Sequence, residues 1–255
     1  MVETRGSVLL AKHSKPVAQE STAKILTETI SRSAILLTTE PTVTAFTVWS
    51  SFAFGLVFIS TQSIPLVFGK VDHFAEYSGG LVQASIGIGQ IIGFLGCLIQ
   101  NQIYIRSEKK NTETPGLPIP EHILQLSIPS TVIGLAGGLF MYAWAIYQPH
   151  WIVLAIALAL TGYAIMVIVS AASIYITDSY PGYAASAIAA VAFGENIFAA
   201  ILPLAAKPMY ERLHYQWAST LLAFVALVLT LAPVVLFFKG ASIRRKSRAI
   251  AKMSH

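Results

Sequence analysis

Charge is scarce in this chain. Asp, Glu, Lys and Arg make up 11% of its 255 residues, less than half of the roughly 25% usual in a soluble domain. With 55% hydrophobic residues, too little polar surface remains to cover a core, so water cannot be its only solvent. Cysteine is reduced to Cys97, inside an apolar run, which excludes an intramolecular disulfide and a thiolate zinc site. The six histidines stand at 13, 73, 122, 150, 214 and 255, in tails, loops or the ends of apolar runs. Neither Gly-x-Ser-x-Gly nor His-Glu-x-x-His occurs, so no catalytic constellation can be assembled and no enzyme is expected. Gly87-Ile88-Gly89 lies in the middle of an apolar run with no preceding strand, so it is no dinucleotide loop. No cofactor is expected.

Long apolar runs are what the chain has. Six reach the roughly 20 residues that cross a hydrocarbon core of about 30 Å, at about 43–67, 79–99, 126–147, 151–176, 183–206 and 216–238. An all-α membrane protein follows, a six-helix transmembrane bundle. Gly69-Lys70-Val71-Asp72-His73 turns the first pair. Asn101 to Glu121, with Lys109-Lys110 and Pro115, Pro118 and Pro120, forms the one long internal loop. Gln148-Pro149-His150 and Tyr180-Pro181-Gly182 are short enough to make their flanking helices antiparallel neighbours.

The net charge of +5 belongs to the flanks of these runs, with no basic stripe interleaved with aromatics, so no nucleic-acid partner is expected. One side holds Arg5, Lys12, Lys15, Lys24 and Arg32, then Arg106, Lys109 and Lys110, then Lys239, Arg244, Arg245, Lys246, Arg248 and Lys252. The other side holds Lys70, Lys207 and Arg212. A bias of 14 to 3 places both termini in the cytoplasm. No apolar stretch directly follows Met1, so a cleaved signal peptide is not expected and the first span should itself serve as the insertion signal. Residues 22–38 set Ile25, Leu26, Ile30, Ala34 and Leu37 near helical spacing, which fits either an amphipathic helix on the cytoplasmic face or an unstructured linker.

Within the spans, small residues cluster where helices must approach: Gly89 with Gly93, Gly134 with Gly138, and the alanine-rich fifth span. In lipid, helices associate through close backbone contact, so these read as packing. Pro65, Pro203 and Pro233 remove backbone donors, the first two near helix ends and the third inside the last span.

One residue breaks the apolar pattern. Glu195 lies thirteen residues beyond Gly182 and twelve before Lys207, near the centre of the fifth span. An acid there costs about 2.5–3.5 kcal/mol even on insertion scales, so it faces a cavity or a hydrogen-bonding partner. It is a candidate for a substrate or proton path, with Asn196 beside it; the alternative is interhelical glue. Gln62, Gln83, Gln90, Tyr142, Trp144 and Tyr175 fit either a pocket wall or interhelical and interfacial contacts. Asp178 is accounted for by capping or turn formation beside Tyr180-Pro181.

Several stretches resemble the C-terminal half, spans seven to twelve, of fungal major facilitator superfamily transporters of the drug:proton antiporter type. Leu37-Thr38-Thr39-Glu40-Pro41 resembles the approach to the seventh span, and Gly138-Leu139-Phe140-Met141-Tyr142-Ala143-Trp144 the ninth. Ile176-Thr177-Asp178-Ser179-Tyr180-Pro181 with Tyr183-Ala184-Ala185-Ser186-Ala187 resembles the junction of the tenth and eleventh. Gln216-Trp217-Ala218-Ser219-Thr220-Leu221-Leu222 and Lys239-Gly240-Ala241-Ser242-Ile243-Arg244 resemble the twelfth span and the ending. Glu3-Thr4-Arg5-Gly6-Ser7-Val8-Leu9-Leu10 resembles the start of the central loop. Pro120-Glu121 stands at a family Pro-Glu, but Ile123 replaces the usual Arg.

The resemblance implies one half of a major facilitator fold: a cytoplasmic segment 1–41, a six-span domain 42–238 and a basic tail 239–255. It implies efflux of small organic molecules across a membrane, the plasma membrane in such relatives. Substrate would lie between two halves that rock against each other. The expected partners are the bilayer, a small-molecule substrate, and an N-terminal half or a second copy. The alternatives are a six-helix channel or scaffold, a truncated gene product, or an inactive fragment. Glu195-Asn196 falls where many relatives carry a basic or different polar residue, so no family role is carried over to it.

Overall fold

A computed structural model describes residues 22–70, 76–110, 118–146 and 151–246. The Glu3–Leu10 stretch, the turn beyond Lys70, part of the proline-rich loop, Gln148-Pro149-His150 and the tail beyond Lys246 lie outside the described residues. Those described are helical with no strand. This is the expected answer to lipid, where every backbone N–H and C=O must find its partner within the segment.

The elements are α1 (Thr22–Thr39), α2 (Pro41–Lys70), α3 (Glu76–Arg106), α4 (Leu124–Pro129), α5 (Gly137–Ala145), α6 (Trp151–Ser179), α7 (Ala184–Leu229) and α8 (Leu231–Lys246). Residues 22–38 therefore form a helix rather than a linker, and Leu36 is buried in the core. Single-turn 3₁₀ segments lead into α4 and α7.

Five apolar helical stretches among the described residues are long enough to cross a membrane, and the last covers the 60 residues Pro181–Gly240. Sixty helical residues would extend about 90 Å, three times the hydrocarbon thickness. The chain resolves this at His214, whose φ of 63° and ψ of 156° interrupt α7. Tyr210 and Ser219 hydroxyls meet at 3.1 Å across that break. Thus α7 supplies the fifth span before His214 and opens the sixth after it, and α8 completes the sixth. Helix persists through Pro203 and Pro208 up to the break, so Pro203 stands well inside its helix rather than near an end.

The third span holds a second irregularity. Pro129 lacks an N–H and crowds the preceding turn. The helix widens into a π-turn over Ser130–Ala136 before α5 begins. Ser130 and Thr131 hydroxyls donate to the carbonyls of Leu126 and Ser127 at 2.8 Å each, giving those acceptors a local partner.

Contacts fix the directions. α2 and the fifth span run parallel: Glu40 meets Tyr180, Ser50 meets Glu195, and Gly55 abuts Phe198 and Leu202. α3 and α6 are also parallel, with Gly89 against Ala159, Cys97 Sγ 3.8 Å from the Met166 carbonyl, and Tyr104 bonded to Asp178. The third and sixth spans are antiparallel, with Phe140 on Phe224 at 5.3 Å and Trp144 on Trp217 at 6.2 Å. Odd spans share one direction and even spans the other, as an up-and-down bundle requires.

The small-residue pairs do pack helices. A Cβ on Gly89 would collide with the Ala159 backbone, and one on Gly138 would sit 2.7 Å from Thr161 Oγ1. At the end where Lys and Arg are concentrated, acids meet tyrosines. Tyr180 donates to Glu40 at 3.2 Å, and Tyr104 donates to Asp178. Glu121 Oε1 and the Tyr175 hydroxyl both lie within 3 Å of where a Gly240 Cβ would stand. Asp178 is thus more than a turn former: it ties the second span to the fourth.

Candidate functional site

Glu195 is half-buried on the fifth span and accepts a hydrogen bond from the Ser50 hydroxyl on α2. Two more α2 hydroxyls surround this bond. Thr47 and Ser51 are buried against Gly194, and neither Thr47 Oγ1 nor Ser51 Oγ has a hydrogen-bond partner. Positions 47, 50 and 51 lie three and four apart, so they share one helical face. Gly194 is what lets that face approach: any side chain there would run into the Thr47 methyl. The result is a hydroxyl-lined seat for one carboxyl group in an otherwise apolar region.

The other sequence candidates scatter. Asn196 is exposed and donates to the Ala192 carbonyl of its own helix at 2.8 Å. Gln62 is exposed on α2, while Gln83 and Gln90 are half-buried on α3. Trp144 is 55% exposed, edge-on to Trp217. Tyr175 is buried against Phe46 at 4.5 Å. Tyr142 is buried and lines a small cavity with Ser60, Ser63, Thr161 and Tyr210. That cavity draws residues from all six spans but holds about 20 Å³, room for about one water molecule.

Size decides what these places can do. A pocket for a drug-sized molecule needs roughly 300–1,000 Å³, far more than this central void. This void is therefore no seat for such a molecule. Glu195 stands toward the outside of the bundle, since its chain neighbours Phe193, Asn196 and Ile197 are exposed. Ser50, Thr47 and Ser51 were not singled out by the sequence. Their spacing was the available signal, but hydroxyls are common in membrane spans and the pattern does not say which face is buried.

Comparison with known proteins returns fungal transporters. The chain is 35% identical to "MFS transporter cpaT" of Aspergillus oryzae over 88% of its own length and 45% of the relative's. It is 31% identical to "MFS-type transporter atr4" of Stereocaulon alpinum, covering 98% of this chain and 47% of that one. It is 33% identical to "Major facilitator superfamily multidrug transporter FLU1" of Candida albicans, covering 89% and 37%. The chain thus spans about half the length of the curated relatives it matches. No family model matches it, and no solved structure does.

Proposed function

We propose that this chain, homologous over nearly its whole length to fungal major facilitator superfamily transporters, forms one six-span half of an efflux carrier for small organic molecules. The observation that carries the reading is the similarity of 88% and 98% of this chain to about half of two fungal transporters, beside a central void too small for substrate. Substrate then lies on the face that carries Glu195, between this half and a second one. Alternating access follows when the halves rock about that site. Glu195, seated by Ser50, offers the substrate or a proton its one mid-span carboxyl group, and Asn196 beside it adds an exposed polar group; Gln62, Gln90, Tyr142 and Trp144, which the fold scatters, have no place in this path. No step of bond making or breaking is assigned, and the chain acts as a transporter rather than an enzyme. The plasma membrane is the proposed site of action, with both termini cytoplasmic as the 14 to 3 basic bias requires.

The test is complementation in drug-sensitive yeast. Expressed alone, the chain inserts but does not restore export; co-expressed with the N-terminal half of a fungal relative, it does. Export by the isolated chain at the level of a full-length relative, without a homodimer by crosslinking, defeats the proposal.

A further inference from the structure

A groove on the outside of the bundle has no part in the path proposed above. It lies between the start of α2 and α8, with a volume of about 350 Å³, lined by Pro41, Thr42 and Ala45 on one wall and Leu231, Val235 and Ile243 among those on the other. Its lining is almost wholly apolar, and Leu231 and Val235 are 62% and 50% exposed. Leu231 to Ile243 spans twelve residues, about 18 Å along a helix. Half of a hydrocarbon core is about 15 Å. The α8 wall therefore runs inward from the membrane surface by about the depth of one leaflet, and Pro41, Thr42 and Ala45 of α2 flank its surface end.

Charge marks the surface end. Leu231, Val235, Lys239 and Ile243 follow one another at intervals of four, so they form one stripe of α8. Lys239 is exposed on that stripe. The helix continues from Ile243 into Arg244, Arg245 and Lys246, and the sequence adds Arg248 and Lys252. This is the leaflet that the basic bias assigns to the cytoplasm, the leaflet that carries anionic lipid.

We propose that the α2–α8 groove is a binding site for one anionic phospholipid of the cytoplasmic leaflet, with an acyl chain along Leu231–Ile243 and its headgroup at Lys239. An acyl chain satisfies the apolar lining, and the headgroup phosphate meets a cation where a zwitterionic lipid gains less. The basic tail by itself would attract anionic membranes without any groove, so the test must separate the two.

The full chain is reconstituted in nanodiscs of phosphatidylcholine with phosphatidylserine, extracted in mild detergent at high salt, and examined by native mass spectrometry. One retained phosphatidylserine per chain is expected. Ala232→Phe, which fills the groove wall, abolishes retention with the tail intact. Val235→Trp, on the exposed rim where folding tolerates bulk, does the same and covers the case in which Ala232→Phe does not fold. Lys239→Gln lowers the preference for phosphatidylserine over phosphatidylcholine about fivefold while a lipid is still retained. The proposal is overturned if Val235→Trp, or a folded Ala232→Phe, retains phosphatidylserine like the wild type. It is also overturned if high salt strips the lipid, if soluble glycerophosphoserine displaces it, or if a second six-span half occupies the groove and no lipid remains.

Discussion

The most apolar 18-residue stretches of the first and second spans are nearly equal in mean hydropathy, 1.7 and 1.8, yet 67% of the first stretch is buried in the bundle and only 28% of the second. In water such a difference would be written in the composition, because exposed positions turn polar. In lipid it is not, because leucine costs nothing against an acyl chain. What separates the two spans is where small and hydroxyl-bearing side chains fall. The first buries Thr42, Thr47, Ser50, Ser51, Ser60 and Ser63. The second docks through glycines and turns Ile88, Ile91, Ile92, Leu95 and Ile99 outward. Inside a membrane bundle, the polar side is the inside.

The strongest way to break this contrast is at Gly89. A side chain there lands on the Ala159 backbone, which cannot retreat without moving α6. Gly89→Leu is expected to separate the second span from the fourth, with a loss above about 2 kcal/mol. Thermal unfolding in detergent measures it. A melting temperature within a degree or two of the wild type would mean that the two helices do not meet at Gly89.

At the first span the expected effects are smaller and divide by type. Ser50→Ala removes an interhelical hydrogen bond, worth about 0.6 kcal/mol on average and up to about 1.7. Glu195→Gln keeps a group able to accept from Ser50, so expression should hold while export by the assembled transporter falls. Glu195→Ala loses both the bond and the charge, and should likewise express while failing to export. If Gln exports normally and Ala misfolds, Glu195 is glue and leaves the transport path. Paired measurements of expression and export decide it.

These cases show how far the sequence could be read. Six spans were legible because an uninterrupted apolar run of twenty residues has one use. Their ends were less so: α3 runs to Arg106 and the fifth span to Leu213, since a helix continues into the headgroup region where polar residues such as Lys207 and Arg212 are at home. The π-turn after Pro129 was not legible, because a proline in a span shows that a bond is lost without showing how the next turn adjusts. Glu195 was visible for its charge alone. Its partner Ser50 was not, since the hydroxyl becomes special only through the parallel packing of α2 on α7.

The break at His214 offers a comparison of its own. Its φ of 63° with ψ of 156° belongs to a region that glycine occupies freely and other residues only under strain. His214→Gly should therefore stabilise the turn by about 1 kcal/mol, raising the unfolding temperature slightly. A fall instead would mean that the imidazole makes contacts worth more than the strain.

The smallest effect is expected on the outward row of the second span, and it asks the most precise question. Ile91 is 68% exposed. In the chain alone it touches lipid, which is as apolar as the side chain it would replace, so Ile91→Ala should shift stability by less than about 0.5 kcal/mol. The same substitution in a transporter assembled from two halves need not be silent. If a second half packs on this row, truncation leaves a void between two helices, and cavities of that kind cost more than lipid exposure does, about 2 kcal/mol or more. Thermal unfolding of Ile91→Ala with and without the second half separates the cases. Silence in both makes the row a lipid face; a cost that appears only on assembly marks it as the surface on which the halves meet.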